Sequence, residues 1–111
     1  MTEYAFQPVI ALTEVARGRM RSCRVGEREL VVCHTRDGVF AVDNVCTHAF
    51  ARMSEGYLKG TRLTCPLHGA SFDVRTGAVL GGPATIPLPA YRTRVVDGMV
   101  EVALPPEAGA K

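Results

Sequence analysis

The chain has 111 residues, 47% of them hydrophobic and 22% charged, with a formal net charge of +2. This length and composition are typical of one soluble globular domain. No apolar run approaches the roughly 20 residues that a membrane-spanning helix needs, and the start "MTEYAFQPVI" lacks the basic segment of a signal peptide. We therefore expect no signal peptide, membrane span or anchor, and we expect a cytoplasmic protein.

The predicted elements are short throughout the chain. Residues 12–18, "LTEVARG", predict one helical turn with Thr13 as its cap and Gly18 as its end. Short alternating or β-branched runs follow, at residues 19–26, 29–36, 38–44, 61–65, 78–80, 91–96 and 99–104. Asp37-Gly38 and Asp97-Gly98 predict tight hairpin turns, and Gly26-Glu27 and Thr76-Gly77 predict further turns. The pattern predicts an all-β fold, a small barrel or sandwich of antiparallel hairpins.

The segment 17–37 is rich in arginine. Such a basic stretch suits nucleic acid or an acidic protein partner. In "RMRSCRV", however, the arginines alternate with apolar residues, which favours a solvated strand face, and no aromatic platform for nucleic acid accompanies them. We therefore expect no nucleic-acid partner.

Residues 43–90 differ in character because they contain two pairs of metal-ligand residue types. The pairs are Cys46 with His48, and Cys65 with His68. Two thiolates and two imidazoles suit a tetrahedral zinc ion or a [2Fe–2S] cluster in which two histidines bind one iron. Zinc usually takes two like ligands from each loop, whereas each loop here mixes its ligands. The mixture favours a cluster whose inner iron takes both cysteines and whose outer iron takes both histidines; zinc is the alternative.

The motif "CTH" at 46–48, followed by "CPLHGASFD" at 65–73, resembles the paired signature of Rieske iron–sulfur proteins. The flanking "VRTGAVLGGPA" and "YRTRVVDGMVEV" resemble the rest of a Rieske ferredoxin domain. The resemblance implies a Rieske fold over residues 1–104, a partly open Greek-key barrel in which residues 43–90 form an inserted cluster-binding subdomain. Residues 105–111 are expected to form a flexible tail.

The resemblance also implies the subtype. Respiratory Rieske subunits carry an additional disulfide-bonded cysteine in each loop, and Ala51 and Leu67 occupy the corresponding places here. Those subunits also place a serine and a tyrosine where this chain has Ala70 and Phe72. Hydroxyl hydrogen bonds to the cluster stabilise its reduced state, so their absence predicts a low potential, about −150 mV.

A ring-hydroxylating oxygenase needs a second iron site, for which only His34 is left, so the chain is expected not to be an enzyme. The resemblance implies a transient electron carrier from a flavin-containing NAD(P)H-dependent ferredoxin reductase to a terminal ring-hydroxylating oxygenase. The alternative is a small subunit of another oxidoreductase such as nitrite reductase.

Further site residues follow from the resemblance. Residues expected around the cluster are Ala49, Phe50, Pro66, Leu67, Gly69, Ala70, Ser71, Gly82 and Pro83. Partner docking is expected at His48, Phe50, Leu67, His68 and Pro83. Four basic side chains are expected either to steer a partner by their charge or simply to be solvated: Arg52, Lys59, Arg62 and Arg75.

Five other side chains are expected to be structural. Cys23 should face a residue near Leu30, which leaves Cys23 and Cys33 as free thiols on a core face. His34 is expected at the surface, and Met53 and Tyr57 in the core.

Overall fold

The computed structural model describes residues 3–47 and 51–106. In these two ranges the chain forms eleven β-strands and two 3-10 helices of three residues each. The strands are β1 Ala5–Ala11, β2 Met20–Val25, β3 Arg28–Thr35, β4 Gly38–Asp43, β5 Tyr57–Lys59, β6 Arg62–Thr64, β7 Ser71–Asp73, β8 Val79–Gly81, β9 Ala90–Tyr91, β10 Thr93–Val96 and β11 Met99–Leu104. The 3-10 helices are Leu12–Glu14 and Met53–Glu55.

The strands form three antiparallel sheets, with strand orders β1-β11-β10, β2-β3-β4-β9 and β5-β6-β7-β8. The predicted all-β fold of antiparallel sheets is confirmed. The β5–β8 sheet lies in sequence between β4 and β9, which are hydrogen-bonded neighbours in the second sheet. In the part of the chain that the structure describes, no helix is long and apolar enough to cross a membrane.

The hairpin turns follow the local sequence. Val96 pairs with Met99, which leaves Asp97 and Gly98 as a two-residue loop with φ of 51° and 79°. Two successive positive φ angles match the right-handed twist of the strands, and Asp-Gly adopts them readily. The Gly26-Glu27 turn also lies where predicted. The β3–β4 turn lies one residue earlier than predicted, at Arg36 and Asp37, because Gly38 already pairs with Thr35 as the first residue of β4.

The first strand, β1, has no counterpart among the predicted runs. Pro8 lies inside it, and the pairing with β11 changes register between Pro8 and Ile10. Proline donates no ladder hydrogen bond, and β1 tolerates it because β1 is an edge strand with a bulge. The predicted helical turn is present only over Leu12–Glu14, so it ends before the predicted Gly18. Thr13 lies within it, and its N-cap is Ala11, which makes no side-chain cap bond.

Strand β3 is buried on both faces, as its unbroken apolar run requires. Val31 and Cys33 pack into one core cluster, and Leu30 and Val32 into the other. The first cluster also contains Cys46 and Cys65, together with residues of the β5–β8 sheet such as Leu63 and Phe72. The predicted ligand cysteines are therefore built into the same core as the scaffold strand β3.

The cysteines outside the motifs behave as predicted. Cys23 pairs with Leu30 across the β2–β3 ladder, and both Cys23 and Cys33 are free thiols. Burial raises the pKa of Cys33 to about 12, so its thiol stays protonated at neutral pH. Arg19, Arg21 and Arg24 are exposed, which confirms a solvated face for this basic stretch.

Met53 is fully buried, as predicted, but the prediction for Tyr57 is wrong because its side chain is 70% exposed. The reason is that β5 is an edge strand that turns Leu58, not Tyr57, toward the core. His34 is half-buried, and its Nδ1 lies 2.8 Å from the carbonyl oxygen of Val15. It ties the end of β3 to the loop after the first helix.

Candidate metal centre

The first ligand loop is closed at its base like a small hairpin. Val45 forms an isolated antiparallel bridge with Arg52, and the Cys46 N–H donates to the Ala51 carbonyl at 2.9 Å. The Cys46 side chain points inward and is only 4% exposed. The other predicted residues of this loop, His48, Ala49 and Phe50, lie outside the described residues.

The second ligand loop is a tight turn between β6 and β7. The Cys65 N–H donates to the Ala70 carbonyl at 2.7 Å, which closes the turn. Within it, His68 and Gly69 have φ of 68° and 75°. The left-handed region disfavours a side chain by about 1–2 kcal/mol, so His68 is held there by the turn around it. This turn places the Cys65 side chain in the core, where it is 1% exposed, and leaves the His68 side chain exposed to solvent.

The two buried cysteines from these loops are neighbours. Burial is the main reason that the pKa of the Cys65 thiol is raised; the Leu67 N–H opposes the shift, and the adjacent Cys46 adds to it. A metal binds the thiolate forms, so metal binding at this pair releases protons and compensates the charge that burial disfavours.

Among residues 3–47 and 51–106, no group of three or more His, Cys, Asp or Glu side chains could hold a metal ion. His48, the fourth predicted ligand, lies outside these ranges.

A third loop, residues 82–89, lies against the first ligand loop. The Thr47 hydroxyl donates a 2.7 Å hydrogen bond to the Ile86 carbonyl. Ala84 and Leu88 anchor this loop in the first core cluster. The loop also contains a cis peptide bond between Gly82 and Pro83.

The remaining residues predicted around the cluster divide by burial. Ala70 and Ser71 are buried, whereas Pro66, Leu67, Gly69, Gly82 and Pro83 are exposed. The Ser71 hydroxyl accepts a 2.6 Å hydrogen bond from Arg62. Of the residues predicted for charge steering, Arg52 pairs with Glu29 and Arg75 with Asp73, at 3.2 Å and 2.9 Å.

Sequence reasoning missed several residues beside the ligand loops. Val45, Leu67 and Ile86 are apolar side chains exposed by 42%, 44% and 60%, and only Leu67 was predicted at the site. Asn44, two residues before Cys46, is almost fully buried. A polar residue that ends a β-branched run is typical of a turn, so the sequence offers no signal of its burial.

Comparisons with known proteins agree with this arrangement. The Rieske [2Fe-2S] domain model matches residues 5–92. The ferredoxin component of the naphthalene 1,2-dioxygenase system of Pseudomonas putida is 37% identical over 95 residues, which cover 86% of this chain and 91% of that protein.

Two solved structures are similar along most of their length. The ferredoxin of Sphingomonas yanoikuyae B1 superposes with a TM-score of 0.85 at 33% identity, covering 91% of this chain and all of that one. A structure described as a complex of reduced oxygenase and oxidized ferredoxin in carbazole 1,9a-dioxygenase contains a chain that superposes with a TM-score of 0.81 at 37% identity, covering 88% of this chain and 92% of that chain.

Proposed function

This chain belongs to the Rieske [2Fe-2S] domain family, and we propose that it is the one-electron ferredoxin of a ring-hydroxylating dioxygenase system. It would accept an electron from a flavin-containing NAD(P)H-dependent reductase and deliver it to a terminal oxygenase. The observation that carries the proposal is the pair of neighbouring buried thiols, Cys46 and Cys65, presented by two loops from one core cluster. The relatives named as ferredoxin components of dioxygenase systems support the same role.

The proposed ligands are Cys46, His48, Cys65 and His68. A [2Fe–2S] cluster bound by them supplies a one-electron redox couple. Both cysteines are buried, whereas the second loop turns His68 to the surface. The chain thereby keeps water from the cysteine side of the centre and presents a histidine to an approaching protein.

We also propose a low potential. Ala70 and Phe72 are fully buried beside the second ligand loop, and neither has a hydroxyl group. A hydrogen bond to a cluster sulfur favours the reduced state, so two apolar side chains at these positions favour a lower potential.

Partner docking is proposed around the ligand loops, at His68, Leu67 and Pro83, with Val45 and Ile86 as additional members. His48 and Phe50, also predicted there, lie outside the described residues. A carrier must leave each partner quickly, which fits a small contact area with a few apolar side chains. The structure described as an oxygenase–ferredoxin complex supports an oxygenase as one partner; the flavin reductase is the other proposed partner.

The domain arrangement and the compartment are part of the same proposal. Residues 1–104 would form one domain, and the β5–β8 sheet supports a cluster-binding part near residues 43–90. None of the four cysteines is in a disulfide bond, which is in accord with a reducing compartment such as the cytoplasm.

Two alternatives lead to different measurements. A structural zinc module is disfavoured because each loop supplies one cysteine and one histidine, whereas zinc usually takes two like ligands from each loop. A small subunit of nitrite reductase or another oxidoreductase is disfavoured because the sequence retains both Cys–His pairs, whereas such subunits commonly lack them.

The test is an EPR spectrum of the anaerobically purified protein after reduction with dithionite, followed by stopped-flow transfer to a purified ring-hydroxylating oxygenase. We expect a rhombic signal with an average g below the free-electron value, and reoxidation on mixing with oxygenase. A silent sample that contains zinc and no iron would overturn the proposal. If the cluster is intact but the chain stays in a stable complex with another protein, and does not dissociate to transfer its electron, the small-subunit alternative would be favoured.

A further inference from the structure

Asn44 makes an unusual set of hydrogen bonds at the base of the first ligand loop. It is 1% exposed and follows the last residue of β4. Its N–H donates to the Glu29 carbonyl at 3.0 Å, and its own carbonyl accepts from the Met53 N–H at 2.6 Å. Its side-chain oxygen Oδ1 accepts from the Ser54 N–H at 2.8 Å. One residue thus joins β3, the start of the ligand loop and the helix after it.

The bonds to Met53 and Ser54 replace a local helix cap. The first N–H groups of a helix have no partner within it and are usually satisfied by a side chain just before it. The residue in that position here, Arg52, makes no side-chain cap bond to the helix. Asn44 serves instead, from the opposite side of the loop. The cap therefore holds the two ends of the loop together as well as stabilising the helix.

The same bonds reinforce the base of the loop. The Val45–Arg52 bridge and the Cys46–Ala51 hydrogen bond form the next two steps of the ladder above Asn44. Met53 is fully buried in the core cluster that contains Cys46 and Cys65. A shift at Asn44 would therefore change the position of Cys46 relative to that core.

In the Asn44 side chain, the oxygen Oδ1 makes the hydrogen bond to the Ser54 N–H, and the nitrogen Nδ2 does not. Nδ2 is buried and has no hydrogen bond of good geometry with any residue of the described ranges. Asn44 lines an open cavity of about 240 Å³ together with Glu29, Arg24 and Arg52. The Glu29 carboxylate is held there by Arg24 and Arg52, at 2.6 Å and 3.2 Å.

We propose that Asn44 is the positioning residue of the first ligand loop: by capping the Met53–Glu55 helix across the loop, it sets where Cys46 lies relative to Cys65. This inference rests on the proposed function, because it concerns how the loop presents a ligand. It adds a residue that does not itself touch the metal. Its effect should therefore appear in the mobility of the loop and in the spectrum of the bound centre.

The test compares the holoprotein with its Asn44→Ala variant by hydrogen exchange of peptides from residues 45–56 and by EPR. Loss of the Ser54 bond should raise the exchange of this segment about tenfold. Displacement of Cys46 should shift the EPR line positions and speed cluster loss to a chelator. Thr35→Ala is the matched control, because Thr35 is equally buried and its hydroxyl also binds turn backbone, at Asp37 and Gly38.

The outcomes separate the two proposals. Wild-type protein without an iron–sulfur signal would remove the proposed function. Wild-type protein with the signal, and Asn44→Ala with unchanged exchange and an unchanged spectrum, would overturn the positioning role alone. If Asn44→Ala does not fold, Asn44→Asp decides, because it keeps an oxygen for the Ser54 N–H: native-like exchange over residues 53–56 supports the role, and exchange raised about tenfold overturns it.

Discussion

The Tyr91 hydroxyl donates a 2.7 Å hydrogen bond to the Asp43 carboxylate. Asp43 is the last residue of β4 and Tyr91 the last of β9, so this bond joins the two strands between which all three loops of the site lie. Arg28 donates to the same Tyr91 hydroxyl at 2.9 Å and stacks over its ring at 5.7 Å from the centroid. The group closes the base of the segment that presents the ligands.

Removing the Tyr91 hydroxyl should destabilise the protein. Tyr91→Phe leaves the half-buried Asp43 carboxylate without this donor, so we expect a loss of about 1–2 kcal/mol in the free energy of unfolding. Tyr57→Phe is the control because Tyr57 is 70% exposed. Urea unfolding curves measure both. Equal midpoints for the two variants would contradict a structural role of the Asp43–Tyr91 bond.

The same tyrosine predicts a pH dependence. Burial, and then the bond to Asp43, raise the pKa of Tyr91 to about 12. Because the folded state favours the protonated form, this contribution to stability is complete below the ordinary pKa of about 10 and is lost as the pH rises through about 12. Tyrosinate absorbance, recorded directly after a pH jump in wild type and Tyr91→Phe, should differ by a single group that ionises near pH 12. A difference centred near pH 10 would show that Tyr91 is not shielded in this way.

The ligand assignment predicts a sharp division among residues of the same type. Cys46→Ser, Cys65→Ser and His68→Gln should abolish the visible absorption and the EPR signal of the purified protein. Cys33→Ala and His34→Gln are matched controls, because one is an equally buried free thiol and the other a histidine bonded to the Val15 carbonyl. Both controls should keep the signal. Loss of the signal from a control, or its survival in Cys65→Ser, would refute the assignment.

A hydroxyl group beside the second ligand loop should raise the reduction potential. Ala70→Ser adds a donor at a fully buried position whose carbonyl already accepts from the Cys65 N–H. If the hydroxyl stabilises the reduced centre by about 1.4 kcal/mol, the potential of a one-electron couple rises by about 60 mV. Protein-film voltammetry measures it, with Ala84→Ser, another buried alanine of the same core cluster, as the control. An equal rise of the reduction potential in Ala70→Ser and Ala84→Ser would contradict a specific role of position 70 in setting the potential.

Gly77 lies so close to the backbone of Leu88 that a larger residue should destabilise the fold. A Cβ at Gly77 would lie 1.8 Å from the Leu88 carbonyl oxygen, and its φ is 84°. Gly18 has nearly the same φ, 82°, but a Cβ added there would have nothing within 4 Å, so it isolates the effect of the backbone angle. Gly18→Ala should cost about 1 kcal/mol, and Gly77→Ala about 3 kcal/mol or more, because the Leu88 segment must also move. Urea midpoints measure the difference, and similar values would rule out the close contact.

The docking proposal predicts that apolar residues beside the ligand loops affect transfer to the oxygenase. Leu67→Glu and Ile86→Glu place a buried charge in the proposed contact, so each should slow reoxidation by oxygenase about tenfold. Val95→Glu is the control, because Val95 is exposed by 44%, as Leu67 is, but lies on β10 of the first sheet. Stopped-flow absorbance measures the rates. Equal slowing by Val95→Glu would point to a general charge effect.

Much of the fold was predictable because its signals are local. Asp97-Gly98 predicts a hairpin turn from the φ angles that these two residues adopt, and the unbroken apolar run of β3 predicts a strand buried on both faces. β1 was missed because Pro8 disrupts the pattern of a strand. Only its place at a sheet edge, with a bulge, makes the proline acceptable.

The sequence by itself determined the family, because a paired Cys–His motif lies within short loops whose residue types and spacing can be read directly. The tertiary structure alone decided what surrounds those loops: the cap from Asn44 to Ser54, the Thr47–Ile86 bond and the Asp43–Tyr91 bond. Each joins residues that are between ten and forty-eight positions apart. No short pattern encodes such a contact, since its partners meet only when β4, β9 and the β5–β8 sheet have packed on their shared core.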